Sequence, residues 1–266
     1  MNRTHKIIAG CLVALATSVL LAHAHPFGDA GLAAPRQQGT ILQHADVPAA
    51  VRTTLETKCA DCHSMQPRPP LYARIAPVSW LVERDIVEGR KAMNLSQWDS
   101  YSADKQEELK AKILSETKLH KMPLPQYRFI HWSSTVTAPE IDAIASWARG
   151  STASPDISTA GQPLMAADAV RGKLAFEKRC TGCHSLDENR EGPHLRGVYG
   201  RASGSVPNFG YSAALRQARI TWDDKTLEHW LAGPDEFVPG VDMDFHVAKP
   251  QERVDIVRFL KESAGK

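Results

Sequence analysis

The chain has 266 residues, 42% of them hydrophobic, 23% charged and 7% aromatic, with a formal charge of +2. That length holds one large domain or two small ones, and the composition is that of an ordinary folded protein. Collagen-like, coiled-coil and largely disordered chains are excluded, and the missing basic excess argues against a nucleic-acid partner.

Arg3 and Lys6 precede an apolar run from Ile7 to Ala22, somewhat short of the ~20 residues of a standard membrane-spanning helix. Ala22-His23-Ala24 then offers a small-x-small cleavage site. This is the layout of a secretory signal peptide, residues 1–24, and predicts export to the periplasm. Ile8-Ala9-Gly10-Cys11 looks like a lipoprotein box, but it would strand Leu12 to Leu21 behind the modified cysteine. Membrane association follows only if this segment stays uncleaved or is lipidated. Cleavage after Ala24 removes two of the 32 basic side chains, Arg3 and Lys6, leaving 30 basic and 30 acidic.

A helix capped by Asp46 is expected to run into Cys59-Ala60-Asp61-Cys62-His63, and one capped by Asp168 into Cys180-Thr181-Gly182-Cys183-His184. Cys-x-x-Cys-His is the attachment signal of c-type haem. Two thiols one helical turn apart can add to the two vinyl groups of one haem edge, and the next residue sets an imidazole beneath the iron. A disulfide framework gives no reason for a histidine after both pairs. Zinc would need further ligands at compatible spacing, and a thioredoxin-like motif would need a preceding strand. Two covalently bound haem c groups are the expectation.

Between the motifs, residues 151–164 are rich in Ser, Thr, Pro and Gly and read as a linker. This separates an N-terminal c-type haem domain, 45–150, from a C-terminal one, 165–266. Later helices are expected at Ser102 to Leu119 and at Thr221 to Leu231, the second opened by Thr221-Trp222-Asp223-Asp224 as a capping box. Thr137-Ala138-Pro139-Glu140 caps a closing helix with an Ile141, Ile144, Ala145, Ala148 stripe. Pro250 opens the last helix, with Val254, Val257 and Leu260 inward. Strand signals are poor, so the fold class is all-α: two tandem cytochrome c-like helical domains, each wrapped around one haem.

The sixth iron ligand decides the chemistry. Met243 is the only methionine after His184 and follows it by 59 residues; Met122 follows His63 by the same 59. His63 and His184 are therefore expected on one side of each iron, with Met122 and Met243 on the other. His120 or His131 is the alternative to Met122. Met65 lies too near His63, and Met93 reads as core. Trp80, Trp98, Trp132 and Trp147 read mostly as core.

Residues 169–264 resemble a class I, mitochondrial-type cytochrome c. The resemblance rests on Gly172 and Phe176 before the motif, Phe259 in the last helix, Gly192-Pro193, Gly200-Arg201-Ala202-Ser203-Gly204, the aromatics Phe209, Tyr211 and Trp222, and Pro239 to Phe245 around Met243. It implies that Gly172 lets two helices pack closely and that the Pro193 carbonyl holds His184. It also implies haem-propionate partners in Arg201, Tyr211 and Trp222. Where family members that dock on acidic oxidases carry lysines, this chain has Asp235, Glu236 and Asp242. An acidic patch there favours a basic or mostly apolar partner surface.

Residues 50–149 resemble a bacterial haem-binding domain through Cys59 to His63, Arg74 to Val82 and Met122 to Tyr127. They carry Val51 and Leu55 where the other module has Gly172 and Phe176, so their helix packing is expected to differ. The implied function is single-electron transfer between redox partner proteins, not catalysis. The alternative is a dihaem redox enzyme, of peroxidase or sulfur-compound oxidase type, with an open or unusually ligated N-terminal haem.

Overall fold

The computed structural model describes residues 3–32, 42, 46–150 and 164–264. Its α-helices are α1 (Arg3–Leu21), α2 (Ala49–Lys58), α3 (Ala60–His63), α4 (Val78–Ala92), α5 (Ala103–Lys118), α6 (Pro125–Ile130), α7 (Ala138–Gly150), α8 (Ala169–Arg179), α9 (Ala213–Gln217), α10 (Asp224–Ala232), α11 (Pro234–Phe237) and α12 (Pro250–Ser263). The only β feature among the described residues is an isolated bridge from Ala202 to Thr221. The linker expected at 151–164 lies, but for Leu164, outside the described residues.

α1 contradicts the expectation that no stretch reaches membrane-spanning length. At 19 residues it is long and apolar enough to cross a membrane, and none of it is buried. The polar Thr4, His5 and Lys6 extend the helix beyond the apolar run because helical hydrogen bonding does not stop where the side chains become polar.

Two compact units form. One takes residues 1–101 and 127–136; the other takes 102–126 and 137–266. In the first, α2 buries Val51 and Leu55 and runs directly into α3, with Cys59 between them. Pro48, not Asp46, stands at the α2 N-cap, and no side chain caps it there. The Pro48 carbonyl accepts the first helical hydrogen bond, from the Arg52 N–H at 2.9 Å. α4 crosses α3 at Gly89, where a methyl group would lie 2.9 Å from the Cys62 carbonyl oxygen. Ile86, Leu95 and Trp98 complete this core.

In the second unit, α8 and α12 cross at Gly172, where a methyl group would lie 1.9 Å from the Asp255 carbonyl oxygen. The Phe176 and Phe259 rings meet beside the crossing, centroids 5.3 Å apart. Arg171 clamps it from outside with two hydrogen bonds to Asp255, 2.8 and 2.9 Å. Asp168 caps α8 by accepting from the Arg171 N–H at 2.8 Å. α10 starts later than the Thr221 expectation, because the capping box is built by Asp223 and Thr226. Thr221 instead accepts from the Thr226 hydroxyl through its carbonyl, 3.0 Å.

α5 and α7 pack against each other in this same unit through Leu109, Ile113, Leu114, Ile144, Ala145 and Trp147, all buried. Lys110 lies 5.0 Å over the Trp147 ring. Trp98 and Trp147 are core as expected and Trp80 is half-buried, but Trp132 is 85% exposed. It follows the short α6 on a surface that also exposes Phe129 and Ile130, where nothing encloses an indole.

Candidate haem-binding sites

Each motif begins as the last turn of a helix. The Cys180 N–H donates to the Phe176 carbonyl at 2.8 Å and the Cys59 N–H to the Leu55 carbonyl at 3.0 Å, so both first cysteines are placed by helix propagation. The His184 and His63 N–H groups then donate back to Cys180 and Cys59, at 2.8 and 3.0 Å. One helical turn thus carries two thiols and an imidazole on one side. None of these four cysteines forms a disulfide. Burial pushes the Cys180 thiol up to about 12, and those of Cys62 and Cys183 to about 11, so all three are protonated at neutral pH.

The imidazoles are oriented from outside the motif. His184 Nδ1 donates to the Pro193 carbonyl at 2.8 Å. A carbonyl can only accept, so Nδ1 carries the proton and Nε2 keeps its lone pair for a metal. Gly192 makes the approach possible: a methyl group there would sit 2.2 Å from the ring. His63 Nδ1 meets the Met93 carbonyl at 3.2 Å, at the end of α4. Burial lowers the pKa of both histidines, which keeps them in the neutral, ligating form.

In the second unit these groups open onto one cavity of 530 Å³. Cys180, Cys183 and His184 line it together with Arg201, Tyr211, Trp222 and Met243. Leu195, Val198, Leu227, Leu231, Val241 and Ile256 give it an apolar wall. The Met243 thioether accepts a hydrogen bond from the Trp230 indole N–H at 3.1 Å. Arg201 lines the cavity with its N–H groups on the His194 and Arg196 carbonyls, 2.9 and 3.3 Å away, and no ion pair among the described residues. Burial lowers its pKa, the mark of a guanidinium short of a counter-anion. An apolar slot with thiols and a neutral imidazole in its wall, and a cation awaiting an anion, fits a large planar metallo-ligand bearing carboxylates. The residues present fit haem.

No sequence signal pointed to the remaining wall. Glu108, Ala111, Ser115, Leu119 and Lys121, on and just after α5, also line this cavity. Glu108 lies over the motif itself, where a methyl group on Gly182 would be 2.0 Å from its carboxylate. Ion pairs fix the helix: Arg179 to Asp104, Glu107 and Glu252 at 2.9, 2.9 and 2.5 Å, Lys178 to Asp104, Lys112 to Glu191 at 3.0 Å and Lys118 to Asp244 at 2.8 Å. These partners lie 70 or more residues from α5 in the chain. Asp235, Glu236 and Asp242 are exposed.

In the first unit Asp61, inside the motif, accepts from the Arg68 backbone and side chain at 3.1 and 3.0 Å and from the Tyr127 hydroxyl at 3.1 Å. Tyr127 stacks on His131, centroids 4.4 Å apart, and Tyr72 shares a 2.6 Å hydrogen bond with His131 Nε2. That ring nitrogen is already engaged. Met93 is buried core; Met65 is exposed. Met122 is half-buried in the turn after α5, its N–H on the Glu116 carbonyl at 3.1 Å. It belongs to the second compact unit, and His63 to the first.

Comparison with known proteins divides the chain by sequence, and the first matched segment spans residues of both compact units. Residues 19–150 match the haem-binding domain family and residues 169–264 match the cytochrome c family. A cytochrome c of Nigella damascena is 35% identical over 104 residues, 38% of this chain and 94% of that protein. One of Euglena viridis is 45% identical over 97 residues, 35% of this chain and 95% of its own length. Among solved structures, cytochrome cH from Methylobacterium extorquens is 38% identical and covers 36% of this chain and 99% of that one, with a TM-score of 0.35. With relatives matched over nearly their whole length and an apolar cavity at the second motif, the chain belongs to the cytochrome c family: it is a helical, haem-based electron-transfer cytochrome with a haem-binding domain ahead of its cytochrome c domain.

Proposed function

We propose that the protein is an exported dihaem c-type cytochrome that passes single electrons between redox partner proteins and catalyses no reaction of its own. Its bound haem iron would supply reversible one-electron chemistry. Cys59 and Cys62 would tether one haem and Cys180 and Cys183 the other. His63 and His184 would each offer a neutral nitrogen, with Met122 and Met243 opposite. Arg201, Tyr211 and Trp222 would meet the carboxylates of the second haem, where Arg201 has no ion pair among the described residues. The observation that carries this reading is the convergence of Cys180, Cys183, His184, Arg201 and Met243 on one cavity.

Removal of residues 1–24 in the periplasm is supported by the apolar, unburied α1 and the small residues before His25. The exposed Asp235, Glu236 and Asp242 favour partners whose docking face is basic or apolar. The deciding experiment is the far-red absorption of the oxidised protein, where thioether-to-ferric charge transfer appears, quantified per covalent haem. Two methionine-ligated haems are expected. A single one would withdraw Met122 or Met243 and turn attention to carbon monoxide binding in the affected unit, as in a dihaem enzyme.

A further inference from the structure

Glu83 sits in the middle of α4 with 2% of its side chain exposed. Its Oε1 receives a hydrogen bond from His25 Nδ1 at 2.6 Å. Its Oε2 is equally buried and has no hydrogen-bond partner among the described residues. A buried acceptor left unsatisfied is costly, and more so when charged. Asp29 brings a third ligand atom to the same place, and the three lie within 4.8 Å of one another. Arg90 is the neighbouring cation, but its N–H groups go to the Ser64 and Ala30 carbonyls, at 2.7 and 2.9 Å, not to these carboxylates. The Asp29 carboxylate accepts from the Gly31 N–H at 2.7 Å, so a local turn accounts for it; the histidine–glutamate hydrogen bond explains one oxygen of Glu83 and leaves the other, Oε2, unexplained.

We propose that His25, Asp29 and Glu83 bind a divalent transition-metal ion, separate from the haem sites. One imidazole nitrogen and two carboxylate oxygens are a ligand set for zinc or copper(II), while calcium would demand six to eight oxygens. Tetrahedral ligands at zinc distances lie about 3.3 Å apart, so small side-chain movements close the trio on an ion. The ion takes the place of the proton now shared by His25 and Glu83, and two carboxylates balance its charge. The site needs no processing of the chain. Where cleavage after Ala24 occurs, as proposed above, His25 becomes the first residue, and its α-amino nitrogen adds a fourth donor that chelates with its own imidazole.

The test is equilibrium dialysis of the haem-loaded protein against zinc alone and copper(II) alone, with metal counted beside haem iron. Intact mass identifies processed and unprocessed chains. About one metal per polypeptide is expected, with affinity falling by at least the ~10-fold that even outer-shell changes cost in both Glu83→Gln and Asp29→Asn. The Asp29 variant alters only an exposed side chain, so it keeps the test valid if the Glu83 variant misfolds. Retention of the metal by both variants, or no uptake by the parent, overturns the proposal. Tighter copper binding by the processed chain supports the amine donor, and equal binding by the two forms removes it.

Discussion

At both motifs a helix delivers the first cysteine and a buried, neutral histidine follows the second, yet the two imidazoles are held by different means. Pro193, nine residues on in a turn, holds His184 at 2.8 Å, and Gly192 supplies the room. Met93, thirty residues on at the end of α4, holds His63 at 3.2 Å, and Gly89 lets that helix reach Cys62. The five-residue motif fixes only local geometry, which one helical turn can specify. Orientation of the ligand comes from a carbonyl that each unit must bring up separately, and each uses a glycine at the point of closest approach.

The comparison breaks most visibly at the cysteines. Replacing Cys180 and Cys183 with alanine should remove one covalent haem of two and unfold the second unit, whose core surrounds the cavity; replacing Cys59 and Cys62 should remove one haem and leave the second unit folded. Intact mass and circular dichroism distinguish these outcomes. Equal unfolding in both would show the units to be one cooperative structure.

Next in size are the two close approaches. Gly172→Val puts a side chain into the Asp255 backbone, where neither helix can yield, and should cost about 3 kcal/mol or more in urea unfolding. Gly89→Ala meets Cys62 oxygen at 2.9 Å, a milder overlap, and should cost about 1–2 kcal/mol. The reverse order would mean that α4 and α3, not α8 and α12, form the stiffer crossing.

Arg179 is 5% exposed and faces three carboxylates. Arg179→Ala leaves those charges unbalanced and should cost about 2–4 kcal/mol. It should also loosen α5 from the cavity, so that exogenous imidazole binds the second haem faster while the first is unchanged. An unaltered rate would show that α5 does not guard the cavity.

The smallest effect is one of pH. Burial raises the Asp255 pKa, but the Arg171 hydrogen bonds outweigh it and the net shift is downward. A carboxylate with a depressed folded-state pKa adds stability that is present above its ordinary value and lost as pH falls through the depressed one. Stability of the second unit should therefore decline below about pH 4, and the decline should flatten in Asp255→Asn. An unchanged slope in that variant would assign the acid sensitivity elsewhere.

Much of this was legible in sequence because it is local or has fixed spacing. Asp168 caps α8, and Thr137 pairs with Glu140 at the start of α7. The resemblance to class I cytochromes c, not spacing, pointed to the crossing at Gly172 with Phe176 and Phe259 and to the Pro193 carbonyl on His184. Errors arose where neighbouring residues could equally begin a helix: Asp46 gave way to Pro48, and Thr221 to the Asp223–Thr226 box. The stripe of α12 missed Ile256, which is fully buried, and placed Val254 inward although it is only half-buried.

The sequence by itself determined the two Cys-x-x-Cys-His segments and the helices that run into them, because adjacency in a helical turn fixes those positions; the cavity residues Arg201, Tyr211 and Trp222 came from the resemblance to class I cytochromes c. Only the tertiary structure decided that α5 walls the second cavity, that Trp230 donates to Met243 and that Met93 rather than a nearby turn holds His63. The same holds for the meeting of His25 with Glu83, 58 residues apart. Each of these depends on a contact between side chains distant in the chain, and no local pattern of charge or hydrophobicity records which partner folding will bring near.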